Sequence, residues 1–228
     1  MDYVLDAAPQ PALAVSGTDA RFPIRRVFCV GRNYAAHARE MGNDPDREPP
    51  FFFTKPADAV VDTPCAVPYP TATSDLHHEV ELVLAIAKGG ANVARADAAS
   101  HIWGATVGID LTRRDLQSDA KANRRPWDMA KAFDFSAPTA PLVPIEQVPS
   151  LSVGRIWLSV NGNARQDANI ADMIWPVEDV IAVLSQYVAL APGDLIMTGT
   201  PEGVGTVQRG DVMTGGIDGL GRFEVTLT

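Results

Sequence analysis

Leu76-His77-His78-Glu79-Val80-Glu81-Leu82-Val83-Leu84-Ala85-Ile86 is the stretch whose reading decides the fold. Glu79 and Glu81 stand two apart at the mouth of an apolar run. In a strand the side chains alternate faces, so both carboxylates project from one side. Val80, Leu82 and Leu84 occupy the other phase, and the mixed run behind them describes a strand that becomes buried. Two carboxylates held that close repel each other, and a hard divalent cation that prefers oxygen ligands relieves the repulsion. An exposed strand face with two solvated glutamates has the same spacing, so the pair alone does not establish a metal site.

On the C-terminal side, Ile102–Ile109 reads as a glycine-punctuated strand that delivers Asp110 at its end. Glu79, Glu81 and Asp110 would then offer three carboxylate oxygens to one face of an octahedron, with water or substrate on the other. The alternatives for Asp110 are a solvated loop residue or a cap for the next helix. Residues Asp115–Lys121 are predicted helical and Asn123–Pro126 a basic turn. Ala130–Asp134, followed by Pro138, Pro141 and Pro144, is predicted as loop, and Lys131 within it has the alternative of an ordinary solvated lysine. Ile156–Val160, Asn161-Gly162 and Asn163–Gln166 spell a tight hairpin. Pro176 opens a helix expected to reach about Leu190, with Val177, Val180, Ile181, Leu184 and Val188 on one face and Val183, Tyr187 and Leu190 widening it. Leu195–Thr198 is a strand before the glycine-rich loop 199–205, whose backbone N–H groups suit a substrate carboxylate.

On the N-terminal side, residues 1–25 form a lead segment with a short strand at Ala12–Val15, and Val27–Val30 reads as a buried strand. Asn33 as N-cap and Gly42 as C′ residue bound a helix of about two turns. His37 and Glu40 lie three apart on it, a candidate acid–base pair or an ordinary exposed pair. Phe51–Thr54 is an aromatic strand stopped by Pro56, and Lys55 follows it. His77 and His78 fit groups that brace a metal site, or polar residues before a strand.

With 228 residues and 46 % hydrophobic content, the chain has enough apolar material for one large core. Many short strands and a single long helix point to an α+β, mostly β architecture with a strongly curved sheet and one domain over residues 26–228. A formal charge of −9 disfavours nucleic acid and anionic membrane as partners. Two cysteines without paired spacing give neither a zinc site nor a disulfide framework. The acidic N-terminus is unlike a signal peptide, and no apolar run is long enough to span a bilayer, so a cytoplasmic protein is expected. Nucleophile-elbow, phosphate-loop and dinucleotide fingerprints are missing from the sequence.

Eight segments occur together and in order: Val30–His37, Phe53–Pro56, His78–Leu82, Gly108–Asp115, Ala130-Lys131, Val160–Gly162, Pro192–Asp194 and Thr198–Gly205. In this combination the chain resembles the fumarylacetoacetate hydrolase family from about residue 26 to its end. The resemblance implies a mixed β-sheet roll with few helices, in a homodimer. It implies Mg²⁺ or Mn²⁺ on Glu79, Glu81 and Asp110, water activation by His37 and Glu40, and stabilisation of developing negative charge by Lys131. It further implies substrate contacts from Arg32, Lys55, Arg114, Gln117 and Thr200. Ala132 departs from the glycine that many relatives carry after the lysine.

Within the family, the run Met41–Phe53 looks most like fumarylpyruvate hydrolases, which implies a small 2-oxo acid substrate, fumarylpyruvate, in gentisate breakdown. A second carboxylate on that substrate needs its own cation, for which Arg32, Arg124 and Arg125 are equal candidates. Decarboxylation of a 2-oxo diacid such as oxaloacetate, or an enol–keto isomerisation, is the alternative on the same metal platform. A non-catalytic metal-binding module is the alternative of another class.

Overall fold

The run from Leu76 to Ile86 forms two strands, Leu76–His78 and Val80–Ile86, that break at Glu79. The computed structural model describes residues 4–35 and 49–228. Every residue of Val80–Ile86 is buried. The reason is its place inside an eight-stranded mixed sheet that is covered on both faces. The order across that sheet is 51–55, 26–31, 194–197, 80–86, 102–109, 137–139 and 60–62, with 143–144 paired to 102–109 off this path. Strand 80–86 runs antiparallel to both neighbours, while 26–31 runs parallel to 194–197. A five-stranded sheet, ordered 163–169, 155–160, 212–217, 221–227 and 65–67, packs against one face.

The period of two divides the central strand between two cores. Leu82, Leu84 and Ile86 join the larger one with Ile156, Leu158, Phe223 and Val225. Val83 and Ala85 join a smaller one with Leu13, Phe22, Val27, Cys29 and Leu195. Glu81 continues the phase of Val83 and Ala85, as the alternation requires. Each large aliphatic side chain buried here contributes about 1.5–3 kcal/mol. Together they hold the acidic end of the strand in a position that opposes its charge.

Three α-helices are present among the described residues: α1 (Arg114–Ala122), α2 (Asp128–Lys131) and α3 (Val177–Tyr187). In α3, Val177, Val180, Ile181 and Leu184 are buried as the periodicity predicts. The helix stops three residues before the expected Leu190, and Tyr187 is 70 % exposed instead of widening the apolar face. Val188 is extended there, and Leu190 exchanges backbone hydrogen bonds with Gly90, which draws the chain out of the helix. The predicted loop at Ala130–Lys131 is instead the single turn α2. Ala94–Ser100 has the look of a short helix in the sequence, and the structure forms a 3-10 helix over Arg95–His101. The hairpin at Asn161-Gly162 is as expected, both residues having the positive φ that a tight turn demands.

Strands Ala12–Ala14 and Arg21–Pro23 pair with each other, and Leu13, Phe22 and Ile24 pack into the smaller core. Strands dominate and helices are few, an α+β, mostly β fold with mixed sheets. Among the described residues no helix is long and apolar enough to cross a membrane.

Candidate active site

The break at Glu79 sits where three strands converge. Strand 80–86 pairs with 102–109 so that Val80 faces Ile109 and Glu81 faces Gly108. The chain leaving Ile109 therefore passes Glu79, and Asp110 N–H donates to the Glu79 carbonyl at 2.8 Å. This register brings one carboxylate oxygen from each of Glu79, Glu81 and Asp110 within 4.8 Å of the others. All three residues are buried, at 6 %, 1 % and 0 % exposure. Of the readings open for Asp110, a solvated loop residue does not survive this burial.

Cations from three elements face the acids. Lys131, at the end of α2, places Nζ 2.9 Å from Glu79 Oε2 and 2.6 Å from Asp110 Oδ2. Burial works against its charge, but Asp110 and Glu79 prevail and raise its pKa above the ordinary lysine value. The solvated alternative for Lys131 is excluded at 2 % exposure. Lys55 lies 2.8 Å from Asp110 Oδ1 and donates to the Leu111 carbonyl at 3.2 Å. It pairs with Asp110 and is not among the residues that line the cleft. Arg114, the first residue of α1, pairs with Glu79 Oε1 and donates to Gln117 Oε1 at 2.6 Å. His77 accepts from Arg114 Nε at 3.3 Å and bonds Asp75 through Nε2 at 2.9 Å, so it braces the arginine.

Glu81 differs from its two companions. It accepts a hydrogen bond from the Gly199 backbone N–H, at 2.8 Å to Oε2, and among the described residues no lysine or arginine lies within ion-pair distance of it. Burial, then the charges of Asp110 and Glu79, push its pKa well above the usual carboxylate range, against Lys131 and the Gly199 N–H. A buried carboxylate in this state calls for a cation. The donor set is all oxygen, hard and anionic, which fits Mg²⁺ or Mn²⁺. Gly199, at φ +96°, turns its N–H toward Glu81. Its backbone therefore serves the acid, where a role toward a substrate carboxylate was expected of this loop.

Sequence reasoning passed over Gln166, which fastens the break. Its Oε1 accepts from Val80 N–H at 3.1 Å and bonds His78 Nδ1 at 3.0 Å. Its Nε2 donates to Thr200 Oγ1 at 2.8 Å and to the Pro201 carbonyl at 2.9 Å. The residues on either side of Glu79 are thereby tied to the loop after strand 194–197. Burial lowers the His78 pKa to about 4, so its ring is neutral. The hairpin pattern placed Gln166 in a strand, but nothing in its spacing marks it as the hub of four bonds. Asn33 is the expected N-cap of a helix whose body lies outside the described residues. Its amide accepts from Trp175 N–H at 2.7 Å and donates to the carbonyls of Trp175 and Thr198.

A cleft of about 30 Å³ opens over Glu79 and Glu81. Arg32, Arg114, Gln117, Lys131 and Thr200, all expected at the site, line it, together with Phe51, Phe53, Trp127 and Lys121. It adjoins a wider aromatic hollow of about 490 Å³ bounded by Phe51, Phe53, Trp127 and Lys131. Arg124 and Arg125 are exposed beyond the end of α1 and are not among the residues that line the cleft, whereas Arg32 is. His37 and Glu40, with the helix proposed to carry them, lie outside the described residues.

The family described as fumarylacetoacetate (FAA) hydrolase, C-terminal, matches residues 26–228. A crystal structure of fumarylpyruvate hydrolase from Pseudomonas aeruginosa, in complex with Mn²⁺ and pyruvate, superposes with a TM-score of 0.97. It is 50 % identical, and the match covers 100 % of this chain and 99 % of that one. A mitochondrial oxaloacetate decarboxylase of Dictyostelium discoideum is 41 % identical over 197 residues, 86 % of this chain and 90 % of its own. A mitochondrial oxaloacetate tautomerase of Rattus norvegicus is 39 % identical over 196 residues, 86 % of this chain and 88 % of its own.

Proposed function

Because the chain belongs to the fumarylacetoacetate hydrolase family, we propose that it is a metal-dependent hydrolase that cleaves the carbon–carbon bond of an acylpyruvate, with fumarylpyruvate as its substrate. The observation that carries this reading is the buried Glu79–Glu81–Asp110 set beside Lys131, opening on an aromatic cleft. The fumarylpyruvate hydrolase that is 50 % identical to this chain binds Mn²⁺ and pyruvate, which supports both the metal and the product.

Glu79, Glu81 and Asp110 would hold Mg²⁺ or Mn²⁺, which when bound supplies Lewis-acid polarisation of a 2-oxo acid. Arg114 and His77 fix the orientation of Glu79. Gln117 and Thr200 present polar groups on the cleft wall to the substrate's oxygens. His37 and Glu40 remain the proposed pair that deprotonates the attacking water, a role taken from the family resemblance. Water adds to the carbonyl distal to the pyruvate half. Lys131, whose charge is held by its acidic neighbours, donates an N–H hydrogen bond to the oxygen that becomes anionic. When the carbon–carbon bond breaks, the electron pair passes to the pyruvate carbon, which takes a proton and leaves as pyruvate. Phe51, Phe53 and Trp127 keep bulk water from the conjugated acyl group. A homodimer in the cytoplasm, acting in gentisate breakdown, completes the proposal.

Decarboxylation or tautomerisation of oxaloacetate is the second reading, favoured by the relatives at 41 % and 39 % identity. One assay separates them. Purified protein with Mg²⁺ is given fumarylpyruvate, acetylpyruvate or oxaloacetate, with a chelator control, and the products are identified. Chelator-sensitive release of fumarate and pyruvate is the expected result. Activity confined to oxaloacetate would replace the hydrolase by the second reading, and inactivity on all three would favour a metal-binding module.

A further inference from the structure

We infer that Lys121 is the group that receives the distal carboxylate of the substrate, and that it sets a preference for extended 2-oxo diacids of about seven carbons. The inference rests on the acylpyruvate reading and adds the residue that recognises the far end of the molecule.

Arg114, Gln117 and Lys121 follow one another at steps of three and four on α1, so they share a face. All three line the cleft. The first of them touches the acids, through Glu79. The last stands seven residues on, about 10 Å further along the helix axis. Trp127 lies beside it, with Lys121 Nζ 5.0 Å from the ring centroid. Trp127 in turn meets Phe51 edge to face at 5.2 Å. The cleft therefore has acids at one end, a flat aromatic wall in the middle and an ammonium group at the other end.

The charges at the two ends are not in the same state. Lys55, Lys131 and Arg114 are each committed to Asp110 or Glu79. Among the described residues no carboxylate lies within ion-pair distance of Lys121, whose ammonium group stands over the Trp127 ring. Burial, followed by the charges of Arg114 and Arg32, lowers its pKa to about 8. Glu79 works the other way from longer range without offsetting them, and a half-buried cation among such cationic neighbours gains by receiving an anion. Length then selects among diacids. Six carbon–carbon bonds separate the carboxylates of a seven-carbon diacid by roughly 7 Å, and the lysine side chain closes the remaining distance. A four-carbon diacid anchored at the acids spans roughly half of that.

The test is calorimetric titration of the Mg²⁺-loaded protein with 2-oxoheptanedioate and with 2-oxoheptanoate, the same chain without the distal carboxylate. Neither has the bond that hydrolysis would cleave, so binding is read without turnover. The wild type is expected to bind the diacid at least about tenfold more tightly, as a charge-assisted contact implies. Lys121→Met is expected to reduce that ratio to roughly threefold or less, and Lys121→Arg to keep most of it. Equal wild-type affinities, no binding of either ligand, or a Lys121→Met that weakens both by the same factor would overturn the inference. Lys121→Gln repeats the comparison if the methionine variant does not fold. If the wild type leaves every acylpyruvate intact, hydrolysis fails as a proposal while the ratio of affinities still decides the role of Lys121.

Discussion

Lys131 Nζ stands 2.6 Å from Asp110 Oδ2, and both side chains are shut off from water. Removing one partner of such a buried pair typically costs 3–5 kcal/mol, because the other charge is left without compensation. Lys131→Met should therefore lower the Tm of the chelator-treated protein. Added Mg²⁺ should raise the Tm of the variant more than that of the wild type, since the cation replaces the missing charge. Turnover should fall by about 10²–10³, the usual loss for one oxyanion donor. Equal Mg²⁺ shifts in the two proteins would count against this account of the pair.

Glu81 holds its proton more tightly in the folded than in the unfolded chain. The metal-free folded state thus carries the extra proton. Its stability falls as the pH rises from about 4.3, the unfolded value, toward the raised folded pKa, by at most about 1.4 kcal/mol per pH unit. Glu81→Gln has nothing to titrate and should lose that slope while keeping the fold. Metal affinity and activity should be lost with it. Thermal melts of both proteins across pH, with chelator and with Mg²⁺, measure this, and parallel slopes in chelator would refute it.

Gln166 serves both flanks of Glu79 and the 200–201 turn at once. Gln166→Leu leaves the buried Val80 N–H and the Pro201 carbonyl unpaired, at about 1–3 kcal/mol for each group. Denaturant unfolding should show a loss of several kcal/mol, roughly 2–6 in all. In the protein that remains folded, weaker divalent binding should accompany it. A variant with wild-type stability would show that the four bonds do not hold the break.

A methyl group on Gly31 would lie 2.0 Å from the Phe51 ring, its cross-strand partner. Gly31→Ala should cost about 1–3 kcal/mol by overpacking. It should also drive the Phe51 ring out of place against Trp127, raising KM more than it lowers kcat. An unchanged KM would place Phe51 outside the substrate's path.

Lys121 is charged below its pKa of about 8 and neutral above it. The protonated form is the one that receives a carboxylate. Affinity for a diacid should therefore hold below pH 8 and fall by up to about tenfold per pH unit above it. The matching monoacid should show no such step. Titrations of both ligands between pH 7 and 9.5 decide the point, and a shared pH profile would assign the step to another group.

How much of this was legible beforehand differs from residue to residue. Glu79 and Glu81 announced themselves because strand alternation is a local rule, and the strand obeys it even across the break at Glu79. Tyr187 misled because helix periodicity extends a face without saying where the chain will be pulled away, and the Gly90–Leu190 bonds that end α3 are long-range. Lys55 and Lys131 read as ordinary lysines from their neighbours alone. Their burial depends on acids 55 and 21 positions away along the chain. Lys121 belonged to a predicted helix yet gave no sign of its place, since Trp127 and Phe51 reach it only after folding.

The sequence by itself determined the strand periods, the tight hairpin, the family and the identity of the three acids, because each is written in short-range pattern or in motif order. Only the tertiary structure decided that those acids are buried, that Glu81 is the one with no cation within ion-pair distance among the described residues, and that Gln166 ties the break to its neighbouring loop. It also decided that Lys121 lines the cleft over Glu79, with no carboxylate among the described residues within ion-pair distance. Charge state and reach depend on which distant side chains share one dry volume, and packing alone fixes that.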